Sequence, residues 1–130
     1  MPVQGICAHR GASVTHPENT IVAFKEAIRL QAQMIEFDVR MTKAEQLVIL
    51  HDETVDRTTN GKGEIEDFTL YQVKQLDAGS WRGVDFKNEK IPTFAEALAE
   101  MPVNIWLNVH LKGGRKLGRK VAQVLMKENK

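Results

Sequence analysis

Apolar positions along the 130-residue chain fall into short blocks separated by polar, turn-forming segments. Val3 to Ala8, polar only at Gln4, predicts a short strand that runs straight into His9-Arg10-Gly11. Ile21, Phe24, Ala27 and Ile28 then recur at helical spacing, with Asn19 as the expected N-cap and the helix running to about Gln31. "MIEFDV", Met34 to Val39, alternates with period two, so a strand there sets Ile35, Phe37 and Val39 on one face and Glu36 and Asp38 on the other. "LVIL", Leu47 to Leu50, is a further compact apolar run, ending in His51-Asp52. From Glu53 to Lys90 turn formers dominate, with one short helix opened by the capping box Thr69-x-x-Gln72. A second capping box, Thr93-x-x-Glu96, starts "FAEALAE", and Pro102 stops it. "IWLNVHL", Ile105 to Leu111, alternates again, Gly113-Gly114 breaks the chain, and a last helix carries Leu117, Val121, Val124 and Leu125 on one face.

Strands alternating with helices predict parallel pairing and an α/β architecture. Against that pattern the placement of polar residues is informative. His9-Arg10, Glu36/Asp38, His51-Asp52 and His110/Lys112 all fall at or near the C-terminal end of a predicted strand, where parallel α/β folds build their sites. Glu36 and Asp38 lie about 7 Å apart along one strand face. The opposite face is continuous Ile-Phe-Val and must be buried, which disfavours an edge strand with its acids in solvent. Two enclosed carboxylates need neutralisation, and a hard divalent cation supplies it through oxygen ligands. His9 and His51 suit proton transfer because imidazole titrates near neutral pH. Arg10 offers a planar fork for two phosphate oxygens, a role compatible with an ion pair to Glu18 or Glu36. Together these residues predict phosphate ester chemistry.

Composition narrows the setting. The chain is 42% hydrophobic, enough for one core, and its 18 basic and 17 acidic residues leave a net charge of +1, no basis for a nucleic-acid partner. No run is long and apolar enough to span a membrane, and the N-terminus does not read as a secretory signal. The basic residues of the last helix, Arg115, Lys116, Arg119, Lys120 and Lys127, read as a solvated face rather than a membrane surface. Cys7 is the single cysteine, which suits a reducing compartment, so a cytoplasmic location is expected.

The stretches "AHRGASVTHPENT", "IEFDVRMT", "LVILHDETVDRTTNGKG", "LDAG" and "IPTFAEAL" resemble the glycerophosphodiester phosphodiesterase family in order and spacing, from Cys7 to about Lys112. The resemblance implies the N-terminal half of a (βα)₈ TIM barrel, with four parallel strands and a small insertion at about 53–90 after the third strand, so that residues 1–130 form a single partial barrel domain. It implies hydrolysis of glycerophosphodiesters to sn-glycerol 3-phosphate and an alcohol with the help of Ca²⁺ or Mg²⁺. On that pattern His9 and His51 correspond to the acid/base histidines, Arg10 and Lys112 to phosphate ligands, and Glu36 and Asp38 to metal ligands. A phospholipase-D-like lipase of the same superfamily is a neighbouring alternative.

Two departures stand out. His110 occupies the position of the family's third acidic metal ligand, which removes a negative charge and tilts preference toward Mn²⁺ or Zn²⁺. The chain is also about half the roughly 250 residues of a full barrel. The expectation is either a truncated part of a longer protein, favoured slightly, or two copies pairing to complete a barrel. A non-catalytic phosphate-binding or interaction module is the corresponding alternative to an enzyme.

Overall fold

The computed structural model describes residues 4–130; Val3, the expected first residue of the opening strand, lies outside that range. Eight regular elements follow one another: β1 (Cys7–His9), α1 (Ile21–Arg29), β2 (Met34–Met41), β3 (Leu47–Ile49), α2 (Leu70–Gln75), α3 (Phe94–Glu100), β4 (Trp106–Leu111) and α4 (Arg115–Lys127). Both capping boxes form. The hydroxyls of Thr69 and Thr93 accept the amides of Gln72 and Glu96, whose side chains in turn accept the amides of the two threonines.

β2 is the centre of the sheet. β1 pairs with it in parallel from Cys7↔Met34 to His9↔Glu36, and β4 pairs in parallel along its other edge from Met34↔Trp106 to Val39↔Leu111. β3 corrects the expectation of four parallel strands, because it runs antiparallel to β2, with Val39 opposite Ile49 and Met41 opposite Leu47. The physical reason is length: residues 42–46 form a hairpin loop closed by the Thr42 amide on the Gln46 carbonyl, whereas a parallel crossover takes a dozen or more residues. Since β3 and β4 both pair with Val39, they flank β2 on opposite sides, and β3 sits on the β1 side beyond the end of β1. The half barrel therefore has three parallel wall strands, with β3 folded back over their C-terminal rim.

The faces of β2 divide as the alternation predicts. Ile35, Phe37 and Val39 are sealed against α1, α3 and α4 in a core that includes Phe24, Phe94, Leu98, Leu117 and Val121. Phe37 stands between Phe24 and Phe94, with ring centroids 5.8 and 6.0 Å away. Leu107 and Val109 of β4 pack on the same side. Glu36, Asp38, Asn108 and His110 therefore share the other face, toward the barrel interior.

The insertion has its own centre. Val48, Leu50, Val55, Ile65, Val73, Ala78 and Ile91 form a second cluster, joined by Phe68, Leu70 and Leu76, around α2 and a 3₁₀ turn at Ile65–Asp67. It docks on the loop between β1 and α1, where Arg82 donates to the carbonyls of Ser13 and Val14 and Phe86 packs 5.1 Å from the ring of His16.

Phe37→Ala removes the central ring of the aromatic trio from a site with no room to collapse. We expect a loss of about 3–5 kcal/mol, read as a lowered midpoint in urea unfolding.

Candidate active site

Register sets the site. Parallel pairing places Asn108 beside Glu36 and His110 beside Asp38, so side chains from two strands meet on one face. His110 Nδ1 lies 3.3 Å from Asp38 Oδ1 and 3.8 Å from Glu36 Oε1. One ligand atom from each of these three residues falls within 4.8 Å of the others, the spacing of a metal's coordination shell. The strand ends on either side add cations. Arg10, held on β2 by its amide on the Glu36 carbonyl at 2.8 Å, places Nε 3.5 Å from Asp38 Oδ2. Lys112, held likewise on the Val39 carbonyl at 3.0 Å, places Nζ 3.9 Å from Asp38 Oδ1. His9 Nε2 is 3.6 Å from Glu36 Oε2 and largely exposed.

Electrostatics mark this as a seat for positive charge. Asp38 is fully buried and Glu36 nearly so. Burial pushes the Glu36 carboxyl above its ordinary range, the charge of Asp38 adds to this, and His9, the Arg10 amide and the Arg10 charge oppose it. Asp38 Oδ1 is buried without a hydrogen-bond partner, as is Arg10 Nε. Unpaired buried groups of this kind are costly, and a cation on Asp38 with an anion on Arg10 would satisfy both. Two carboxylates and one imidazole, aimed at a common point, fit a divalent cation.

Five further residues complete the site: Glu18, expected as an ion-pair partner of Arg10, Asp52, expected beside His51 at a strand end, and Asn19, Arg40 and Arg57, to which the sequence reading gave no site role. Asn19, expected as the helix cap, is displaced from that role by Thr20, whose hydroxyl accepts the Ala23 amide. Asn19 adopts φ 56°, a left-handed conformation that Asn tolerates, and donates its side-chain amide to Asp38 Oδ2 at 3.0 Å. Arg40 donates twice to the His51 carbonyl, at 2.9 and 2.6 Å. Glu18, Asp52 and Arg57 form a chain of ion pairs. Glu18 accepts Arg10 Nη1 at 2.9 Å and both terminal nitrogens of Arg57, at 2.6 and 3.1 Å. Asp52 accepts Arg57 at 2.9 and 3.0 Å and pairs with His51 Nδ1 at 2.8 Å.

His51 is thus tied to the site indirectly. Among the described residues it makes no ion pair with Glu36 or Asp38, and its connection runs through Asp52, Arg57, Glu18 and Arg10. Hydrogen bonds from Arg57 hold the Asp52 carboxyl far below the usual range; desolvation opposes this, and His51 assists it. Burial alone would raise Glu18, yet the hydrogen bond and charge of Arg57, then those of Arg10, outweigh it and hold the carboxyl low. Arg57 is held above its usual range by the hydrogen bonds it donates to Glu18 and then to Asp52.

Residues 9–129 match the family model described as "Glycerophosphoryl diester phosphodiesterase family", and the chain belongs to that family. It is 48% identical over 123 residues to a glycerophosphodiester phosphodiesterase of Caldanaerobacter subterraneus, covering 94% of this chain and 51% of that relative. It is 43% identical over 95 residues to the human protein named glycerophosphodiester phosphodiesterase 1, covering 72% of this chain and 29% of the relative. The crystal structure of the Agrobacterium tumefaciens glycerophosphodiester phosphodiesterase superposes with TM-score 0.92 at 34% identity, over 98% of this chain and 54% of that one. An Oleispira antarctica phosphodiesterase in complex with the product sn-glycerol-3-phosphate gives TM-score 0.90 at 35% identity, over 96% and 53%. The chain spans about half the length of these two solved structures and of the Caldanaerobacter relative, and less of the human one. The partial TIM-barrel architecture stands on these superpositions, and no helix among the described residues is long and apolar enough to cross a membrane.

Two outcomes follow. His110→Glu restores a third negative ligand, so calorimetric titration should give roughly tenfold tighter binding of Ca²⁺ or Mg²⁺ than wild type, and equal affinities would refute the assignment of His110 to the cation seat. Glu18 has a depressed carboxyl, so its stabilisation is fully present above the unfolded value of about 4.3 and is lost as pH falls through the folded one. The gap in Tm between wild type and Glu18→Gln should therefore narrow as the medium is acidified.

Proposed function

We propose that this site carries out divalent-metal-dependent hydrolysis of glycerophosphodiesters to sn-glycerol 3-phosphate and an alcohol. The convergence of Glu36, Asp38 and His110, with their ligand atoms within 4.8 Å, beside the two cationic side chains Arg10 and Lys112, carries the reading. The product complex of the Oleispira antarctica relative supports the substrate class. Residues that would hold the cation are Glu36, Asp38 and His110, and when bound it supplies charge stabilisation to phosphoryl oxygens.

The chain's own groups divide the remaining work. Arg10 and Lys112 flank Asp38 from opposite sides of β2 and would grip the phosphate from two directions, Arg10 through its fork and Lys112 as a point charge. His9 and His51 are the proton carriers, one accepting from the attacking oxygen and the other donating to the departing alcohol oxygen. Water supplies the oxygen that ends on the phosphate of glycerol 3-phosphate, either by attacking directly or by opening a cyclic phosphate formed by the substrate's own hydroxyl. The ionised Asp52 accepts a hydrogen from His51 Nδ1, which leaves Nε2 as the nitrogen that exchanges protons. A cavity of about 450 Å³ beside Lys112, lined also by Arg40, Glu53, Glu64 and Glu66, offers room for the alcohol portion of a small diester.

Incubating the chain with glycerophosphocholine and Ca²⁺, Mg²⁺ or Mn²⁺ should release glycerol 3-phosphate, with chelator abolishing the reaction. His9→Ala and His51→Ala should each lower the rate roughly 10²–10⁴-fold. Turnover that survives either substitution, or a preference for intact sphingomyelin, would overturn the reading, and a chain that binds metal and phosphate without turnover would mark a non-catalytic phosphate-binding module.

A further inference from the structure

Arg57 belongs to the insertion, is about half exposed and touches neither the acids of β2 nor the histidines. Its bonding pattern is nonetheless specific. A single nitrogen, Nη2, donates to Glu18 Oε2 at 3.1 Å and to Asp52 Oδ1 at 3.0 Å. These are the same two oxygens that hold Arg10, through Nη1 at 2.9 Å, and His51, through Nδ1 at 2.8 Å. The other guanidinium donors complete the grip, Nη1 on Glu18 Oε1 at 2.6 Å and Nε on Asp52 Oδ2 at 2.9 Å. One planar group thereby closes an unbroken path from imidazole to guanidinium across two separate segments of chain.

We propose that Arg57 is a positioning residue that locks His51 and Arg10 into one constellation, fixing the imidazole tautomer of the first and the orientation of the second. The proposal rests on the functional reading above only for its catalytic consequence. Without Arg57 the Asp52 carboxylate would be free to rotate toward solvent, since it is only partly covered, and a rotated Asp52 releases the Nδ1 hydrogen of His51. The enclosed Glu18 would keep its contact with Arg10 Nη1 but lose the two Arg57 bonds that fix both of its oxygens, which loosens the seat of the Arg10 guanidinium. Lysine cannot substitute, because a single ammonium lacks the planar array of donors needed to bind two carboxylates pairwise.

The test requires no turnover. In the 130-residue chain labelled with ¹⁵N-histidine, at a pH well above the imidazole range, two-bond ¹H–¹⁵N correlation spectra distinguish the two neutral tautomers of His51. Wild type should show the hydrogen on Nδ1. Arg57→Ala and Arg57→Lys should shift His51 toward the Nε2–H form while leaving His16 unchanged, and circular dichroism should confirm a folded chain. Should Arg57→Ala fail to fold, Arg57→Lys alone gives the same readout. His51 retaining the Nδ1–H form in a folded Arg57 variant overturns the proposal. Where wild type hydrolyses glycerophosphocholine, Arg57→Lys should in addition lower kcat roughly 10–100-fold, by analogy with other outer residues that orient site groups. A tautomer that shifts in the variants of an inactive wild type upholds the positioning role and refutes only the functional reading.

Discussion

The enclosure of two carboxylates on the inner face of β2 is the constraint around which the rest is organised. Ile35, Phe37 and Val39 take the outer face into the core, so strict alternation commits Glu36 and Asp38 to the inner face, where both are buried. A shift of one residue in register would exchange the two sets and cost both the core and the site. Four cationic or imidazole groups gather on the acids for this reason: His9 and His110 from β1 and β4, Arg10 and Lys112 from the residues that follow those strands, and a bound cation would satisfy Asp38 Oδ1.

Much of this was visible in the linear chain because it rests on local chemistry. The alternation of residues 34–39 defines two faces without reference to any neighbour, and the two Thr-x-x-Glu/Gln boxes close within a single turn. The direction of Leu47–Ile49 was not visible in the same way, since a short apolar run has no polarity of its own; the clue lay in the five residues that precede it. Asn19 and Thr20 are both good capping residues, and what separated them was Asp38, a partner nineteen positions away that claims the amide of Asn19. Arg57 was hidden more deeply. It stands in the turn-rich stretch after β3, inside a segment that carries the family resemblance but with no local pattern to name its partner, and its bonds to Glu18 span 39 positions.

The hairpin also explains how an antiparallel strand contributes to a rim otherwise built by parallel ones. β2 extends past the end of β1, and β3 turns back along that overhang until the Leu50 amide reaches the Asp38 carbonyl. His51 follows immediately, anchored through its carbonyl by Arg40 of the strand it has just paired with. Direction along the sheet thus matters less than the level at which the chain leaves it.

The segregated apolar centre of the insertion carries a consequence for how such a protein diversifies. Because Val55, Ile65, Val73 and Ala78 pack with Val48 of β3 and with Leu50 rather than into the aromatic trio of the main body, the module can be recomposed away from β3 without repacking that trio. Its attachment to the site runs through β3, which leads into His51, and through the ion pairs of Arg57. Change in the insertion can thus accumulate at a distance from Glu36 and Asp38, so the two halves of the rim are free to evolve at different rates.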